Sequence, residues 1–182
     1  NHVSGTPGKG YNLYKLHDGR KVLVINLLGQ VFMKPIENPF KSIQDCLSQY
    51  NLGKTVDLIL VDFHAEATSE KMAMAHFLDG RVSAVFGSHQ QVPTADSQIL
   101  DNGTAYQTDA GMCGDYNSVI GMQKEVPIDR FLGKISKNRF KPAIGEITIC
   151  GVVLETDDAT GLATKVAPLR VGGVLNETWP GD

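Results

Sequence analysis

The chain has 182 residues, 42% hydrophobic and 20% charged, which suits one soluble globular domain with a real core. Its formal charge of −3 gives no electrostatic reason to expect a nucleic-acid backbone or an anionic membrane as partner, and no apolar run is long enough to cross a bilayer. Cys46, Cys113 and Cys150 lack C-x-x-C spacing, which argues against a disulfide framework or a zinc ribbon and favours a reducing cytoplasm.

Residues 1–11 (N-H-V-S-G-T-P-G-K-G-Y) read as a loop entering a strand, as expected of a segment from within a longer protein. Tyr11 to Leu16 and Lys21 to Leu28 are strand-like, and Asp18-Gly19 between them signals a hairpin turn. Gln30 to Pro39 has no period. Phe40, Ile43, Leu47 and Tyr50 have helical spacing, and Asn51-Leu52-Gly53 is a stop. Val56 to Val61 is a continuous apolar run, expected to be buried on both faces. The spacing then predicts a helix over Thr68 to Leu78, with Thr68 as its cap, Glu70 in its first turn, and Met72, Ala75 and Phe77-Leu78 on its apolar side.

Val82 to Phe86 is the next strand, so residues 56–86 make a βαβ unit with a parallel crossover. Gly103 to Thr108 is a short strand, Asp109 to Met122 a Gly-rich loop, and Pro127 to Leu132 a short helix with Pro127 in its first turn. Ile144 to Glu155 and Leu162 to Leu169 alternate as strands around an Asp157 to Gly161 loop, and residues 171–182 form a peripheral tail. A parallel centre with antiparallel hairpins at both ends predicts one domain over residues 1–182, a mixed two-sheet α/β sandwich.

The chemistry-bearing residues lie at two strand ends. His64 follows V-D-L-I-L-V-D-F, and His89 follows V-S-A-V-F-G-S. In neighbouring parallel strands both imidazoles reach the region where ligands and metals gather, and neutral imidazole suits a borderline divalent ion. Two histidines do not fill a site. Asp62 and Glu66 flank His64, and Thr94 and Asp96 follow His89, as further ligands or as partners that orient an imidazole. Each histidine taken alone is more at home as a hydrogen-bonded loop residue, and it is the pair after two strands of one βαβ unit that brings the ligand reading level with that one. His2, in the entry loop, His17, in a turn, and His76, on the polar side of a helix, read as structural or solvated. Cys113 is a rival nucleophile, but the sequence assigns it no base and Asp115 disfavours a thiolate. The segments G-T-P-G-K-G and G-M-C-G match no phosphate-binding fingerprint.

The runs D-F-H-A-E-A-T-S-E-K (62–71), L-D-G-R-V-S-A-V-F-G-S-H (78–89), T-A-D (94–96), G-T-A-Y-Q-T-D-A-G-M (103–112) and S-V-I-G-M (118–122) resemble a bacterial family. It is the calcineurin-like metallophosphoesterases active on 2′,3′-cyclic nucleotides. P-G-K-G-Y (7–11) and V-I-N-L-L-G-Q-V-F-M (24–33) match as well, so the resemblance covers most of the chain. It implies an α/β/β/α sandwich of two mixed sheets, two divalent ions per site (Mn or Fe), a small phosphodiester substrate and a homo-oligomer. It implies metal ligation by His64 and His89. Gln91 stands where the family's G-T/S-H-x-H motif has its last histidine, a degraded ligand position. Asp62, Glu66 and Asp109 are expected around these ligands. The family's N-terminal motifs, including the histidine that protonates the leaving group, have no counterpart here, and Asn1-His2 matches that motif only by accident. The expectation is therefore a C-terminal portion of the domain that is inactive alone. The rival expectation is a non-catalytic remnant serving as a scaffold or binding module.

Overall fold

A computed structural model describes residues 1–34, 36–135 and 138–181. Strands β1 (Tyr11–Lys15) and β2 (Lys21–Leu28) form the expected hairpin. Strands β3 (Leu58–His64), β4 (Ala84–Ser88), β5 (Gln98–Ile99) and β6 (Ala105–Gln107) complete a six-stranded sheet in the order β1-β2-β3-β4-β6-β5. Its four inner strands are parallel, and β1 and β5 run antiparallel at the edges. Strands β7 (Ile149–Thr156) and β8 (Ala163–Val171) pair separately as a two-stranded sheet, and β8 lies against β5 and β6. The 171–181 segment folds back so that Thr178 bridges Arg170.

Helix α1 (Pro39–Leu47) is capped by the Asn38 carboxamide, which accepts from the Phe40 and Lys41 amides. It stops three residues before the expected Tyr50. The Ser48 hydroxyl there donates to the Asp45 carbonyl (2.7 Å), a local bond that competes with helix continuation. Helix α2 (Thr68–Leu78) has the expected bounds, and helix α3 (Glu125–Phe131) begins two residues before the expected Pro127, which still lies in its first turn.

The core lies on one face of the large sheet. Leu23, Ile25 and Leu27 of β2 and Ile59, Val61 and Phe63 of β3 alternate inward with the period of a pleated strand. Ile43 of α1 and Met74 and Leu78 of α2 belong to the same core cluster. The other face of β3 is not fully buried, contrary to the expectation from its apolar run. Leu58 and Leu60 are half-buried and Asp62 is exposed. That face carries Asp62 and His64.

Two expectations for α2 are corrected. Its N-cap is Ala67, with no side-chain cap, and Glu70 accepts instead from the Gln30 and Val31 amides. Its buried residues are Glu70, Lys71 and Met74 with the expected Ala75 and Leu78, while Met72 is exposed. The helix docks on the i, i+3, i+4, i+7 stripe that begins with a lysine.

At the far end of α2, the Asp79 carboxylate accepts from the Asn102 amide (3.0 Å), the Asn102 side chain (3.0 Å) and the Thr104 amide (3.2 Å). This carboxylate fixes the loop that leads into β6. Asp79→Ala is expected to destabilise the fold by about 1–3 kcal/mol, read as a lower urea midpoint with unchanged m-value. A midpoint equal to that of the parent chain would show that these bonds contribute nothing.

Candidate metal centre

Register assembles the site. Parallel pairing sets Asn26 beside Asp62, and His64 beside Ser88, at the carboxyl ends of β2, β3 and β4. His64 is the last residue of β3, and His89 is the first residue after β4. Their rings meet edge to face with centroids 4.8 Å apart, and His89 Nδ1 lies 3.0 Å from His64 Nε2.

The network around His64 fixes its tautomer. The Ser88 hydroxyl donates to Asp62 Oδ1 (3.0 Å), because a carboxylate only accepts. Toward His64 Nδ1, 3.1 Å away, the same oxygen therefore accepts, so Nδ1 carries the proton. The lone pair is left on Nε2, facing His89. The Asn26 carboxamide donates to Asp62 Oδ2 (2.7 Å) and holds the carboxylate in place. Burial, and then the neighbouring His89, lower the His64 pKa from its ordinary value, which favours the neutral ring that a metal requires. Glu66 reaches His89 rather than its sequence neighbour His64, with Oε2 2.5 Å from His89 Nε2.

The loop bearing His89 is strained. His89 has φ +113° and Gln91 has φ +64°, left-handed values that cost a non-glycine residue on the order of 1–3 kcal/mol. Gln91 is exposed. Gly87, just before, has no room for a side chain, since an added Cβ would lie 1.8 Å from the Thr108 carbonyl oxygen.

Asp109, expected near the ligands, is buried beneath this loop. Its Oδ2 lies 3.3 Å from Lys71 Nζ and accepts from the Gln90 amide (2.8 Å). Lys71 is 0% exposed, and desolvation lowers its pKa against the opposing pull of Asp109. Sequence reasoning assigned no role to Lys71, Gln90, Ser88 or Asn26. The available signal was the placement of Asn26 and Ser88 at the ends of runs parallel to the one ending in His64. Thr94 and Asp96 do not reach the imidazoles. Both anchor the loop to residues 108–109, through Asp109 N to Thr94 Oγ1 (2.9 Å) and Thr108 Oγ1 to Asp96 Oδ2 (2.5 Å). Cys113 donates its thiol to the Cys150 carbonyl (3.4 Å), with no base among its hydrogen-bond partners. His17 and His76 are exposed. His2 shares with His89 the wall of an apolar cleft of about 810 Å³ that also includes Leu28, Phe32 and Met33.

Two nitrogens ligating one octahedral ion at right angles and about 2.1 Å stand about 3.0 Å apart, so the imidazole pair has the separation of adjacent ligands. Among the described residues no group of three or more His, Cys, Asp or Glu side chains converges to complete a cage. The pair fits a metal as part of a donor set, not as the whole of one.

The YmdB-like protein family matches residues 1–169. The chain belongs to this metallophosphoesterase family. Membership implies metal ions at the site without naming the element. This YmdB-like chain is 45% identical over 171 residues to the 2′,3′-cyclic-nucleotide 2′-phosphodiesterase of Bacillus subtilis. That alignment covers 94% of this chain and 63% of the relative, so the chain spans less than two thirds of the relative's length. A crystal structure of a hypothetical protein from Thermus thermophilus superposes with a TM-score of 0.85 at 39% identity, covering 95% of this chain and 66% of that one. A novel phosphatase from Mycoplasma pneumoniae superposes with a TM-score of 0.79 at 36% identity, covering 91% of this chain and 58% of that one. Among the described residues no helix is long and apolar enough to cross a membrane.

Proposed function

We propose that the chain supplies the histidine side of a two-metal centre in a phosphodiesterase that hydrolyses 2′,3′-cyclic nucleotides. The observation that carries this reading is the 3.0 Å approach of His64 Nε2 and His89 Nδ1, in a chain of the YmdB-like family. His64 and His89 are metal ligands, and Gln91 occupies a weakened ligand position. Bound divalent ions, Mn or Fe, supply a polarised phosphate and an acidified water.

The chain's own residues prepare the site. Asp62, through Ser88, keeps the His64 lone pair on Nε2. Glu66 holds the far nitrogen of His89, and Asp109 holds the loop that carries it. The apolar cleft beside His89 gives a nucleoside a place to lie. In this reading β7–β8 belongs to the second sheet of an α/β/β/α sandwich, and residues 1–182 act as a single unit that assembles into a homo-oligomer. The activity of the B. subtilis relative, a 2′,3′-cyclic-nucleotide 2′-phosphodiesterase, supports the substrate class.

The test is Mn²⁺ titration of the 182-residue chain, with 2′,3′-cyclic AMP hydrolysis assayed alongside. Saturable binding is expected, weakened about tenfold or more by His64→Ala and by His89→Ala. Turnover by this chain alone is expected to stay at background. Failure to take up Mn or Fe at saturating concentrations would overturn the reading. The non-catalytic alternative, a scaffold or binding module, rests on Gln91, whose neutral amide oxygen is a weaker donor than imidazole for these ions.

A further inference from the structure

One imidazole ends strand β3 and the other opens the loop after β4, and something must set their separation. Residues 88–91 leave β4 through the left-handed backbone of His89 and Gln91, a conformation that persists only where the surroundings enforce it. We propose that Lys71, Asp109 and Gln90 form a clasp, rooted in the buried Lys71–Asp109 pair, that positions His89 against His64. This inference rests on the reading of both histidines as ligands.

Gln90 is the joint. Its amide N–H donates to Asp109 Oδ2 (2.8 Å), its side-chain Oε1 accepts from Lys71 Nζ, and its Nε2 donates to the Glu66 carbonyl (2.7 Å). One side chain thus joins the loop after β4 to the loop after β3, between the two histidines. Asp109 is fixed in turn by the Gly111 amide on Oδ1 (2.9 Å) and by Lys71 on Oδ2 (3.3 Å). Lys71 runs up from α2 beneath Gly87, where a Cβ would lie 2.9 Å from its Cδ. Its ammonium has no access to water and two partners, so its direction is fixed. None of the three residues bonds an imidazole ring. They are positioning residues that act on His89 through the backbone of Gln90.

The experiment uses the 182-residue chain, with Gln90→Leu and the double variant Lys71→Met/Asp109→Asn. Histidine ring ¹⁵N spectra without metal report the His64–His89 contact, and Mn²⁺ titration reports the ligand pair. Gln90 is only half-buried, so Gln90→Leu is expected to fold and carries the test even where the double variant does not. Both variants are expected to lose the ring-nitrogen shifts of the coupled pair and about tenfold in Mn²⁺ affinity, with far-ultraviolet circular dichroism unchanged. A folded Gln90→Leu with parental ring spectra and an affinity within about twofold of the parent overturns the clasp. Absence of Mn²⁺ binding in the parent overturns the ligand reading instead, and the metal-free ring spectra still decide the clasp.

Discussion

Gln91→His is expected to raise the Mn²⁺ affinity of this chain by at least about tenfold, equivalent to about 1.4 kcal/mol. The backbone is already arranged for it. Residue 91 is exposed with φ +64°, and histidine is among the few non-glycine side chains enriched in the left-handed region. The exchange therefore adds little strain. It replaces a neutral amide oxygen with an imidazole nitrogen, a better donor for Mn or Fe, two residues beyond His89. Isothermal titration with Mn²⁺ measures the change, and hydrolysis of 2′,3′-cyclic AMP by the gene product shows whether activity follows. A parallel gain in both marks an enzyme weakened at one ligand. Unchanged affinity would mean that residue 91 stands away from the ion, and would leave the scaffold reading as the better account.

Lys71→Met is expected to produce the largest loss of stability from a single change. Lys71 and Asp109 are 0% and 1% exposed, and removing the ammonium leaves a buried carboxylate without its counter-charge. Breaking a buried pair in this way costs about 3–5 kcal/mol. For a domain of this size each kcal/mol lowers Tm by about 2–4 °C, so a fall of roughly 6–20 °C is expected in a thermal melt. Adding Asp109→Asn should recover part of that loss by removing the orphaned charge. The recovery is incomplete because the carboxylate accepts from the Gln90 and Gly111 amides on separate oxygens, and asparagine retains one acceptor oxygen. A double variant no more stable than Lys71→Met would show that the lost counter-charge is not the cause.

These predictions concern residues that differ in how far the sequence disclosed them. His64 and His89 were legible because each follows an apolar run, and a βαβ unit brings successive strand ends together. The β1–β2 and β7–β8 hairpins were legible from alternation and turn residues. Strand β5 was not, because two residues carry no period. Lys71 was hidden by its residue type. A lysine in an amphipathic pattern reads as solvated, and only the rotation of α2 on the sheet turned it inward. The Asn26–Asp62–Ser88–His64 chain was hidden because it runs across three strands, where contact depends on register.

By itself the sequence determined the periodic elements, the parallel crossover and the placement of two imidazoles at strand ends. Local preference and hydrophobic period act over a few residues and can be read from those residues alone. The tertiary structure decided which nitrogen of His64 is free, that Glu66 serves His89, and that Lys71 and Asp109 lie together under the His89 loop. Those outcomes depend on strand register and helix rotation, which are set by packing between segments far apart in the chain.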